Sequence, residues 1–178
     1  MTDKISREER KARVVEVLNQ ARSMELFAIT QYMNQHYNLD DMDYGELAKN
    51  MKLVAIDEMR HAEMFAERIK ELDGEPTTSY EGELQKGQDV NVIYPYDTQL
   101  EDDTIDVYSQ FLLTCRDNGD SISAKLFETI IEEEQAHMSY FDNVGNHINT
   151  LGDTYLSKIA GTSASTGAST KGFIISGQ

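Results

Sequence analysis

Apolar residues recur along this chain in alternating steps of three and four, the spacing that lines up side chains on one face of an α-helix. The first stripe is Val14, Leu18, Ala21, Glu25, Ala28 and Tyr32. The second is Leu47, Met51, Val54, Glu58, His61, Phe65 and Ile69. The third is Glu101, Ile105, Tyr108, Leu112 and Cys115, and the fourth Phe127, Ile130, Glu134, His137, Phe141 and Val144. Four long helices are predicted. Ser6, with Glu9 three positions on, reads as the capping box that opens the first. Residues 38–43 break the pattern with Asp-rich turn chemistry, and Asp43 is expected to cap the second helix. Asp73-Gly74, followed by Pro76, is a helix stop. Residues 74–97, rich in Gly, Thr, Ser and Gln, read as a long crossover, with Pro95 near the start of helix three. Asp153 is expected to cap a short fifth helix through Ala160. Residues 1–160 thus form one all-α domain, and the Ser/Thr/Gly-rich stretch 161–178 reads as a flexible tail.

The acidic residues inside these stripes change the picture. Glu58 and His61 stand three apart on one helical face, as do Glu134 and His137. Shifting Glu25, Glu58 and His61 by 76 residues gives Glu101, Glu134 and His137. The midpoint between Glu25 and Glu58 falls in the first turn, and that between Glu101 and Glu134 at Asp117-Asn118. Antiparallel hairpins folded about those turns therefore bring each pair to one height. A buried carboxylate is costly unless it is paired or metal-bound, and the stripes carry no Lys or Arg to pair with four of them. Four carboxylates and two imidazoles in a four-helix bundle are the donor set of a two-metal site. Oxygen-rich donors with one imidazole per metal suit iron or manganese. The predicted centre is a carboxylate-bridged di-iron site. Glu58 and Glu134 are expected to bridge, Glu25 and Glu101 to be terminal, and His61 and His137 to serve one metal each.

Composition narrows the setting. The formal charge of −16 over 178 residues opposes nucleic-acid binding and suits a surface that attracts cations. The single cysteine, Cys115, rules out an internal disulfide or a cysteine cluster and is expected to be a small buried apolar group. No apolar run is long enough to cross a bilayer, and the charged amino terminus lacks a secretory stretch; a cytoplasmic protein is expected. His36 and His147 have no Glu three positions before them and read as ordinary polar residues. Tyr32 and Tyr108 each lie seven residues after a predicted glutamate ligand, open to core filling or to hydrogen-bonding a ligand.

With both Glu-x-x-His motifs, both upstream glutamates and the crossover in register from about residue 8 to residue 160, the sequence resembles the bacterioferritins. The resemblance implies a ferritin-like bundle and a ferroxidase that oxidises Fe(II) with O2 or H2O2. It implies iron storage and detoxification in a hollow shell of twenty-four subunits built from twofold dimers, and an electron-donor protein for iron release. It also implies a haem (iron porphyrin) shared by two subunits, its methionine ligand falling here at Met59. Leu26, Ile29, Met33, Ile56 and Met59 form a second apolar face on the first hairpin, which suits a partner. For Asp57, the residue before Glu58, the resemblance suggests the cavity wall or metal access. Leu53 stands where many relatives carry an inner-surface histidine, and Tyr140 where they often have Trp. The alternative is a rubrerythrin-like di-iron peroxide or oxygen reductase without storage; the lack of a four-cysteine electron-transfer site speaks against its usual form. A metal-binding bundle without turnover is the third reading.

Overall fold

The structure, a computed structural model, describes residues 5–168 and 171–176. Residues 1–4, at the start of the predicted domain, and 169–170 and 177–178, within the predicted tail, lie outside the described residues. Four long helices follow in order, α1 (Arg7–Asp41), α2 (Gly45–Glu71), α3 (Val90–Asp117) and α4 (Ser121–Leu151). Two short ones end the chain, α5 (Asp153–Ile159) and α6 (Phe173–Ser176). The hairpins α1–α2 and α3–α4 pack into a four-helix bundle. Ser6 caps α1 with the predicted capping box, its hydroxyl accepting from Glu9 N–H and Glu9 from Ser6 N–H.

The stops of α1, α2 and α3 share one chemistry. After α1, Asp43 takes φ 65° and donates to Asp40 O, while Tyr44 N–H reaches back to Leu39 O. Asp73 and Gly74 close α2 in the same way, and Gly119 and Asp120 close α3. Each is a Schellman stop, in which a left-handed residue lets two N–H groups satisfy the last carbonyls. Asp43 therefore ends α1 instead of capping α2. The first turn of α2 has no cap from its own flank, and Glu46 N–H is met at 2.7 Å by Thr162 Oγ1 from beyond α5. Asp153 is likewise the first residue of α5, not its cap, which is Gly152.

Helix α3 begins earlier than Pro95 suggests. Asp89 accepts from Asn91 N–H and starts the helix at Val90, so Pro95 lies inside it and the crossover spans only residues 72–89. That crossover lies along α1, where two amide side chains stand in for a neighbouring strand. Asn19 donates to Glu75 O and accepts from Thr77 N–H; Gln31 donates to Gln85 O and accepts from Gln85 N–H.

Two apolar clusters fill the bundle. One gathers Tyr32, Met51, Val54, Tyr94 and Phe141, the other Ala21, Phe65, Tyr108, Phe127 and Ile130. Every long helix passes from one cluster to the other, and between them each contributes a polar residue to a single buried layer. Emptying either cluster of a phenylalanine would cost about 3–5 kcal/mol, which is the scale of stabilisation that lets so many carboxylates stay inside. Beyond α5 the described part of the tail is largely exposed, but Gly172 and Phe173 are buried against α2 and α4.

Candidate metal centre

The buried layer contains Glu25, Glu58, His61, Glu101, Glu134 and His137, each no more than 3% exposed. All six residues singled out in the sequence come together here. The two Glu-His pairs sit one turn apart on α2 and α4, and antiparallel packing interleaves them. His61 Nδ1 lies 3.0 Å from Glu58 Oε2 and 3.0 Å from Glu134 Oε1. His137 Nδ1 lies 2.9 Å from Glu134 Oε2 and 3.1 Å from Glu58 Oε1. Each of these two carboxylates thus spends one oxygen on each imidazole. Glu25 stands 3.9 Å from His61 Nδ1, and Glu101 4.0 Å from His137 Nδ1.

Tyr108 donates to Glu25 Oε1 and Tyr32 to Glu101 Oε1, both at 2.5 Å. The tyrosines therefore do more than fill space: each holds a buried glutamate of the opposite hairpin.

The electrostatics divide the carboxyls into two kinds. Burial, reinforced by the charges of Glu134 and Glu58, holds Glu25 and Glu101 well above their ordinary value. Burial opposes charge on Glu134 as well, but His61 and His137 outweigh it and draw that carboxyl down to about 2. For Glu58, burial and Glu134 push upward, and the two imidazoles leave the balance lowered. Burial disfavours protonated His61 and His137, yet the facing carboxylates raise both well above the ordinary histidine value. Without metal, the imidazoles thus favour the charged form of Glu58 and Glu134, while burial favours the protonated form of Glu25 and Glu101.

Donor atoms form two sets within which all lie no more than 4.8 Å apart: Glu25, Glu58, His61 and Glu134, and Glu58, Glu101, Glu134 and His137. Glu58 and Glu134 belong to both. Their buried Oε1 atoms face an imidazole only as an ion pair, without hydrogen-bond geometry, and a cation between them would satisfy them more fully. The residues fit a pair of hard divalent ions. A cleft of about 870 Å³ between α1, α3 and the crossover reaches all four glutamates.

A second layer escaped the sequence reading. His61 Nε2 lies 2.8 Å from Glu133 Oε2, and His137 Nε2 lies 3.3 Å from Asp57 Oδ2. Asp57 and Glu133 are themselves 76 residues apart, so the repeat already held the clue. Arg60 joins them, pairing with both carboxylates. Asp57, for which the resemblance suggests the cavity wall or metal access, is fully buried and faces the imidazole of His137. Asp97, placed by the sequence in the crossover, lies inside α3 one turn before Glu101 and accepts from Gln35 at 2.7 Å; its carboxyl is held well above the ordinary value by burial. Met59 is 50% exposed on α2, outside this layer. His36 is buried with Nδ1 2.8 Å from Ala48 O, and His147 stacks on Tyr155. Cys115 is buried and its thiol is pushed up to about 12, chiefly by burial. Among the described residues no helix is long and apolar enough to cross a membrane.

Comparison with known proteins gives a consistent match. The ferritin-like domain model covers residues 15–151. The chain is 68% identical to the bacterioferritin of Desulfovibrio desulfuricans, over 95% of its own length and 94% of that protein. It is 34% identical to the bacterioferritin of Streptomyces coelicolor, over 82% of this chain and 88% of the other. In three dimensions it resembles the D. desulfuricans bacterioferritin, a structure of a diiron site in different catalytic states. That match has a TM-score of 0.92 and covers 96% of this chain and 99% of that one. It also resembles Mycobacterium tuberculosis bacterioferritin BfrA, with a TM-score of 0.79 at 32% identity, covering 83% of this chain and 93% of that one.

Proposed function

Because this chain belongs to the bacterioferritins, within the ferritin-like domain family, we infer that it stores iron and oxidises it at a di-iron ferroxidase centre. The observation that carries the site assignment is the interleaving of Glu58 and Glu134 with both imidazoles, which makes those two carboxylates common to both donor sets. In this reading Glu58 and Glu134 bridge, Glu25 and Glu101 are terminal, and His61 and His137 each offer Nδ1 to one ion. Fe(II) is the substrate: two ions each yield one electron, and the pair reduces O2 to H2O2, or H2O2 to water, with two protons taken up.

The chain's own groups manage charge. Two Fe(II) ions bring four positive charges, and Glu25, Glu101, His61 and His137 are the groups of the layer whose protonated forms the surroundings favour. Exchanging protons on these groups for metal ions limits the change in buried charge, which lowers the cost of charging a low-dielectric interior. Tyr32 and Tyr108 stay neutral, burial holding both hydroxyls well above their ordinary value, so each remains a donor that steadies a terminal carboxylate. The cleft gives access for iron and oxidant, and Arg60 with Glu133 and Asp57 holds the imidazoles from the other side.

The apolar face of the first hairpin fits the twofold partner and shared haem of this reading. Met59 is exposed, and Leu26, Ile29, Met33 and Ile56 are partly buried beside it. A thioether from each subunit would hold the haem iron, which when bound supplies a one-electron relay; Met59 fits by being an exposed soft donor on an apolar surface. Twenty-four copies of the 20.2 kDa chain form a shell of about 485 kDa. Native mass measurement tests the storage reading: the closed shell is expected, and a stable dimer would favour the reductase alternative.

A further inference from the structure

The cleft opens the centre between α1 and α3, and the opposite side is covered by the chain's own C-terminal segment. Ile174 N–H donates to Asp57 Oδ2 at 2.8 Å, the same oxygen that faces His137 Nε2. Gly172 packs so closely that a Cβ there would lie 2.0 Å from Asp57 Oδ1 and 2.4 Å from its Cγ. Phe173 is 6% exposed, with its ring edge-on to His137 at 6.0 Å and against Tyr140 at 4.8 Å.

We propose that Gly172, Phe173 and Ile174 are positioning residues of the di-iron centre: they clamp Asp57 and through it fix the ring of His137, so the tail tunes the metal held by that histidine. The inference rests on the reading of His137 as a ligand. A ligating imidazole is oriented by whatever holds its second nitrogen, and losing that partner costs ~10–100-fold in metal affinity. At 3.3 Å the His137–Asp57 contact is already long, so a small shift of Asp57 breaks it. His61 is held differently. Its Nε2 meets Glu133 at 2.8 Å, and Glu133 is steadied by Arg60. The clamp therefore acts directly on the metal beside His137 and reaches His61 only through the further ion pairs of Arg60.

Gly172→Ala in the full chain tests this. The glycine does not use a left-handed backbone, so alanine suits the chain and only the approach to Asp57 is lost. The probe is Co(II) added to metal-free protein, followed by its visible absorption, together with the rate of trypsin cleavage after Lys171. Parental protein is expected to take two Co(II) per chain. The variant should take the first as the parent does and the second ~10-fold more weakly, with an altered spectrum for that ion and faster cleavage. Asp57→Asn should weaken the same ion, and the double variant should lose little more than either alone, as expected of residues acting through one contact. A superimposable titration, equal weakening of both ions, additive losses or unchanged cleavage would each overturn the proposal. A parent that takes up no Co(II) pair would instead remove the di-metal reading on which it rests.

Discussion

Tyr108 and Glu25 meet across the bundle, a hydroxyl on α3 held 2.5 Å from a carboxyl on α1. Tyr32 and Glu101 repeat the contact in the other direction. Each bond favours the ionised carboxylate against a burial cost that raises it, and only the ionised form binds a cation.

Tyr108→Phe should therefore raise Glu25 further and make its proton harder to displace. A lost hydrogen bond to a charged group costs about 1.5–3 kcal/mol, so Fe(II) binding near pH 6.5 should weaken ~10-fold or more. The deficit should shrink as pH rises and the proton leaves. Stopped-flow oxidation across pH checks this; a uniform loss at every pH would point to damaged packing instead.

Glu101→Gln and Glu134→Gln should both end rapid oxidation but should differ in the metal-free protein. Burial favours the protonated form of Glu101 there, so its amide replacement should leave thermal stability nearly unchanged. Glu134, drawn down to about 2, balances His61 and His137. Its loss leaves imidazolium charge uncompensated and should cost on the order of 3 kcal/mol near pH 6. Calorimetry on the two variants without metal separates the roles; equal losses would contradict the charge assignment.

Stability of the metal-free protein should fall as the solution turns alkaline. Glu25 and Glu101 are raised above their ordinary 4.5, and His61 and His137 above 6.5. In that range the folded state binds more protons than the unfolded one, so this contribution is full below the ordinary values and lost as pH climbs through the raised ones. Glu58 and Glu134, lowered, contribute above 4.5 and are lost only in stronger acid. Metal loading should reverse the alkaline trend and release protons. Melting curves with and without Zn(II), and proton release measured in a weak buffer, check both.

Met59→Leu keeps the volume of an exposed apolar side chain and removes its sulfur. It should eliminate bound haem while leaving subunit assembly and Fe(II) oxidation near parental values, because every residue of the buried layer is untouched. Haem content by absorption after reconstitution decides; parental content would refute Met59 as the ligand.

Much of this was legible in the sequence because carboxylates on apolar stripes have few solutions. The 76-residue repeat located all six residues of the layer, and helical spacing put each at mid-height. The boundaries read less well. Asp43 looked like a cap because an Asp before a helix usually is one; only the left-handed backbone of a Schellman stop shows that it finishes α1. Pro95 drew the start of α3 too late, since Asp89 caps five residues nearer the N-terminus than the ring suggested. Asp57 and Glu133 obey the same repeat but lie off the apolar stripes, so nothing in the periodicity turned them toward the imidazoles. The tail was hidden altogether: its Gly, Ser and Thr content describes a free segment, whereas Gly172 is there because Asp57 leaves no room for a Cβ.

The most direct measurement is anomalous diffraction at the iron edge from crystals soaked in Fe(II). Two peaks per chain should appear inside the bundle, one beside Nδ1 of His61 and Glu25, the other beside Nδ1 of His137 and Glu101. Glu58 and Glu134 should each contact both. A single peak, or iron bound only outside this layer, would contradict the account.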